Sequence, residues 1–180
     1  IQAYGTVEDR ETVAALRELL TDPEEDDDVK RFAAFVLGKM GVPGPVRAII
    51  GGREATFVPG VFPPDAPMRD RDGQEVAELA MSRMSKRYGL LQQHDMVSIW
   101  ADFLSRSHPD APKLANKEAW AAALEYLTAK LHRLSVTYEE VAQRYGVSIS
   151  TVGHRVKRID EVCGIREKAR ALIEHFQEKL

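Results

Sequence analysis

With 180 residues, 44% apolar and 29% charged, the chain has room for one large or two small globular domains and is neither disordered nor fibrous as a whole. Its longest apolar stretches fall well short of the ~20 residues a membrane span needs, and no charged-then-apolar signal pattern opens it, so the sequence predicts a soluble, cytoplasmic protein. The net charge of −3 conceals an asymmetry: residues 1–112 carry 13 basic and 19 acidic side chains, whereas residues 113–180 carry 12 and 9. The C-terminal part thus has the sign that phosphate contacts require, though weakly. Cys163 is the single cysteine, which excludes an internal disulfide and a multi-cysteine zinc site. Its expected place is that of a small buried hydrophobe.

In chain order, helices are predicted around 9–20 and 28–40, the second with Val29, Phe32, Ala33, Val36, Leu37 and Met40 on one stripe. The acidic run Glu24–Asp28 reads as a loop that ends in the N-cap Asp28. Residues 4–16, YGTVEDRETVAAL, align without a gap to residues 37–49, LGKMGVPGPVRAI, pairing Gly5 with Gly38, Val13 with Val46, Ala15 with Ala48 and Leu16 with Ile49. A fixed period of this size predicts a helical solenoid. The L-G-K-x-G corner resembles a HEAT-like repeat of the short, lyase-associated kind. That resemblance covers about 50 residues; it implies that Ile1–Tyr4 are the tail of a preceding helix and that the segment contacts a protein partner.

Residues 51–73 are rich in Pro and Gly and read as a linker, with a short extended piece at 55–61. Beyond it the pattern is helical. Helix 74–88 offers Val76, Leu79, Ala80, Met84 and Tyr88 to a core, and helix 94–106, starting at His94 and Asp95, offers Met96, Ile99, Trp100, Phe103 and Leu104. Helix 116–133, capped by Asn116, is apolar almost all round in its first half, which predicts that other helices surround it. The last helix, 166–180, carries Ala169, Leu172, Ile173, Phe176 and Leu180 on a stripe that must pack on something.

Residues 137–159, TYEEVAQRYGVSISTVGHRVKRI, read as a helix-turn-helix. Thr137 and Glu140 form a capping box, Gly146 supplies the turn, Val147 plugs the corner and Ser148 caps a second helix whose buried stripe is Val152, Val156 and Ile159. The combination of Arg155 and Ile159 with the alanine-rich helix before the motif resembles the cyclin-fold repeat of transcription factor IIB. Residues 138–156 also resemble the C-terminal promoter-reading region of bacterial sigma factors. Five helices over 74–159, with the most apolar third, favour the cyclin-like arrangement.

The expected fold is therefore all-α: a HEAT-like helical repeat remnant over 1–50, a linker over 51–73, and over 74–180 a cyclin-like five-helix domain with the helix-turn-helix and a C-terminal helix. The capped motif and the local basic excess predict a DNA-binding transcriptional regulator, its second helix in the major groove. Ser148, Ile149, Ser150, Gly153, His154 and Lys157 would meet bases, and Thr137, Thr151, Arg155 and Arg158 phosphates. Gly153 stands where a reading side chain would project, so modest specificity is expected. The alternative is a non-catalytic protein-interaction adaptor in which the helix-turn-helix is a packing unit. The dispersed histidines, with no P-loop and no nucleophile motif, predict no enzyme activity, no cofactor and no metal. A homodimer stays open.

Overall fold

The computed structural model describes residues 7–60, 71–107 and 113–179, and is predominantly helical. Two compact units divide the chain, Ile1–Ala66 and Pro67–Leu180.

In the first unit, α1 (Val7–Thr21) and α2 (Asp27–Lys39) pack on one strand of a hairpin, β1 (Val46–Ile50) and β2 (Arg53–Phe57), antiparallel with Val46 opposite Phe57 and Ile50 opposite Arg53. Val13, Leu20, Ala33, Ala34, Leu37, Val42, Val46 and Ala48 form the core. The acidic loop caps α2 two residues earlier than expected: Asp26, not Asp28, is the N-cap, its carboxylate accepting from the Asp28 amide at 2.8 Å.

The larger departure concerns the repeat. Residues 46–49, aligned with helix residues 13–16, form a strand, so the second copy does not continue as a helix. Val46, Ile49 and Ile50 prefer the pleated conformation, and Gly51 and Gly52, both at positive φ, close the two-residue turn that only such residues enter without strain. Residues 53–57 likewise belong to a strand and not to a linker. Lys30 is buried and donates from Nζ to the Ile49 carbonyl at 2.7 Å, while the Gly51 amide donates to Asp27 at 2.9 Å, tying α2 to the hairpin. Tyr4, Gly5 and Val61 lie outside the described residues, as do Ile1–Gln2 and Leu180.

The second unit contains α3 (Arg71–Met84), α4 (Leu90–Ser107), α5 (Lys117–Leu131), α6 (Tyr138–Tyr145), α7 (Ile149–Cys163) and α8 (Ile165–Glu178). Asn116 caps α5, accepting from the Ala119 amide at 3.3 Å. Every residue of α5 from Ala119 to Ala129 is buried, and α3, α4, α6, α7 and α8 all pack against it. The apolar girth of this helix thus dictates its central place. Trp100, Phe103 and Trp120 form an aromatic cluster with ring centroids 5.5–5.7 Å apart, and Trp100 Nε1 donates to the Gly73 carbonyl at 2.7 Å. α4 begins at Leu90, so His94 and Asp95 fall in its second turn and do not start it.

Candidate interaction surfaces around the helix-turn-helix

The local signals of the 137–159 motif translate directly into geometry. Thr137 Oγ1 accepts from the Glu140 amide and Glu140 Oε2 accepts from the Thr137 amide, each at 3.1 Å, completing a capping box. Gly146 adopts the left-handed conformation at φ 65°, and the Val147 amide donates to the Ala142 carbonyl at 3.0 Å. Ser148 Oγ accepts from the Thr151 amide at 3.1 Å and lies 2.6 Å from the Thr151 hydroxyl. Val152, Val156 and Ile159 are fully buried, and Cys163 closes the stripe.

A carboxylate that the sequence pattern did not single out holds the motif to the central helix. Glu125, fully buried on α5, accepts from Arg144 Nη1 at 2.6 Å and from the Tyr145 hydroxyl at 3.3 Å. An ionised carboxylate at such depth requires paired, hydrogen-bonded partners, and the C-terminal end of α6 supplies both. Burial first, then the Glu125 charge, pushes the Tyr145 phenol well above its ordinary range. The one available signal was an acid in the middle of an otherwise apolar helix. Its partners lie 19 and 20 residues away, a separation that no local pattern encodes.

The other attachments are aromatic. Tyr126 stacks on Tyr138 at 4.3 Å, and Arg166 of α8 bonds the Tyr138 hydroxyl. The Arg155 guanidinium lies 4.8 Å from the centroid of Trp120. Arg155, expected to meet phosphate, is therefore half-buried and stacked on α5.

The remaining expected site residues divide clearly. The N-cap Ser148 is exposed, as are Ile149, Ser150, His154, Lys157 and Arg158 on α7, and a Cβ added at Gly153 would meet nothing within 4 Å. Thr137, Ser148 and Thr151 spend their hydroxyls on caps. Over residues 137–163 four basic and four acidic side chains balance. With Arg144 bound to Glu125 and Arg155 stacked inward, Lys157 and Arg158 are the exposed cations of the motif, and Lys157 lies 4.0 Å from Glu161.

No family model matches this chain, and no solved structure does. It is similar to the TPR repeat-containing protein YsoA of Bacillus subtilis (strain 168), 25% identical over 150 residues that make up 82% of this chain and 41% of that protein. It is also similar to the uncharacterized protein YccF of the same strain, 36% identical over 67 residues, 36% of this chain and 18% of that one. The chain spans less than half the length of these curated relatives.

A second exposed surface lies on α8. Of the stripe expected to pack, Ala169 and Ile173 are half-buried, while Leu172 is 45% and Phe176 56% exposed. Leu134, in the loop after α5, is 40% exposed, and its neighbour Arg133 stacks its guanidinium over the Phe176 ring at 5.9 Å. Leu172 and Phe176, four residues apart on α8, share one face of the helix, and exposed apolar side chains placed together are a feature of interaction surfaces. Among the described residues no group of three or more His, Cys, Asp or Glu could hold a metal ion, and no helix is long and apolar enough to cross a membrane.

Proposed function

We propose that this chain is a non-catalytic protein-interaction module, part of a longer repeat-containing protein, and that a protein partner covers the α8 stripe beside Leu134. The similarity to the TPR repeat-containing protein YsoA, spread over 82% of the chain, is the observation that carries this reading. Two physical features support it. Leu172 and Phe176 are large apolar side chains about half exposed, and an apolar partner surface covering the rest would stabilise by roughly 1 kcal/mol for each. The helix-turn-helix, in turn, is electrically neutral and commits two of its arginines inward.

A photo-crosslinking amino acid placed at Leu172, and separately at Lys157, in cells of the chain's own source tests the proposal. Discrete adducts with another protein through position 172 are expected. Adducts with nucleic acid through position 157, and none through 172, would overturn it; a chain-to-chain adduct would identify a second copy as the partner.

A second reading has one observation in its favour. His154, Lys157 and Arg158 are exposed and not packed against α8, so the outward face of α7 is sterically open to a DNA groove. In that case Ser150, His154 and Lys157 read bases, and a transcriptional role follows.

A further inference from the structure

A concavity of about 200 Å³ in the second unit is lined by Arg83, Lys86, Arg87 and Arg144. Two of the four are held in place from within. Arg144 is fixed by its bond to buried Glu125, and the charges of that pair largely cancel. Arg83 bonds the Arg144 carbonyl in the last turn of α6, and its guanidinium sits 5.5 Å from the Tyr145 ring centroid. Lys86 and Arg87 follow the end of α3 and are exposed. Among the described residues, none of Arg83, Lys86 and Arg87 forms an ion pair with a carboxylate. Three uncompensated cations thus converge on one small hollow, a costly arrangement that an anion would relieve.

We propose that this hollow binds a phosphate monoester or inorganic phosphate as its dianion. Charge selects the class: three free cations match a dianion, which gains twice the attraction of a carboxylate or phosphodiester at the same distance. Arg83, held by its Nη1 bond to the Arg144 carbonyl, keeps further N–H donors that an anion's oxygens can accept from, at little added cost in side-chain ordering. The two sources of this chemistry are the free ion and a phosphorylated side chain of a partner. The site lies apart from the α8 stripe and does not depend on what covers it.

Titration of the whole chain at constant ionic strength and slightly alkaline pH, followed by backbone amide NMR, tests the proposal with three probes: inorganic phosphate, N-acetyl-O-phosphoserine amide and dimethyl phosphate. Saturable shifts at residues 83–88 and 144–146 are expected with the first two, and at least tenfold weaker binding of dimethyl phosphate. The relative affinity of the first two separates the sources, tighter phosphoserine identifying a side chain and tighter phosphate the free ion. Lys86→Ser with Arg87→Ser, both at exposed positions, should weaken binding at least tenfold. Lys168→Ser with Arg170→Ser, exposed cations on α8, should leave it unchanged. No saturation by either dianion, equal binding of dimethyl phosphate, or an equal effect of the two double variants overturns the proposal.

Discussion

Glu125 anchors α6, and with it the helix-turn-helix, to the central helix. In Glu125→Ala, Arg144 and the Tyr145 hydroxyl face a cavity in place of the carboxylate that accepts from them at 2.6 and 3.3 Å. Breaking a buried ion pair by removing one partner costs about 3–5 kcal/mol when the other charge stays trapped. The Arg144 side chain is 25% exposed, so water reaches part of it. The expected loss is therefore near the lower end, about 3 kcal/mol. Replacing both partners, Glu125→Leu with Arg144→Met, removes the desolvation penalty together with the attraction and should cost under about 1.5 kcal/mol. Urea unfolding followed by tryptophan fluorescence reads this cleanly, because Trp100 and Trp120 both lie in the unit Pro67–Leu180. A Glu125→Ala loss below about 1 kcal/mol, or a double variant as damaged as the single, would refute the reasoning.

Two glycines should respond in opposite directions. At Gly38 an added Cβ would fall 2.6 Å from the Gly60 carbonyl oxygen and 2.8 Å from its nitrogen, so Gly38→Ala should destabilise the first unit by roughly 1–3 kcal/mol, read as faster hydrogen exchange in α1 and α2. At Gly153 the added methyl meets open space, and Gly153→Ala should raise the urea midpoint by the equivalent of roughly 0.5–1 kcal/mol. Burial, reinforced by Asp102, pushes the Cys163 thiol up from 9.0 to about 12, so the native chain should resist a thiol reagent that labels it rapidly in urea. The Tyr145 phenol, raised above its ordinary 10.0, keeps in the folded state a proton that the unfolded chain gives up. Its contribution to stability is complete below that value and is lost as pH rises beyond it, so Tyr145→Phe should flatten the alkaline loss of stability measured by urea unfolding.

The helices of the second unit were legible because their signals are local: the capping box, the turn glycine and the i, i+4, i+7 stripe each act within a few residues. The central place of α5 followed from its lack of a polar face. The strand at 46–50 was obscured by an alignment of small and aliphatic residues that suits a helix as well as a strand, although Gly51-Gly52 between two β-prone runs is itself a hairpin signal. What could not be read was pairing at a distance: Glu125 with Arg144, Arg155 over Trp120, Lys30 on the Ile49 carbonyl. The open stripe of α8 was equally invisible, since periodicity shows which face is apolar but not whether anything covers it. Of the expected site residues, sequence located the exposed ones on α7 but could not foresee that Arg155 turns inward.

The choice between protein and DNA as partner is tested most directly by titrating mixed-sequence duplex DNA with the chain at low and at physiological salt, alongside Lys157→Glu with Arg158→Glu. A protein-interaction module predicts weak binding by the unaltered chain at low salt, none at physiological salt, and little change in the double variant relative to that baseline. Binding at physiological salt that the double variant abolishes would contradict the account and assign α7 to the DNA groove.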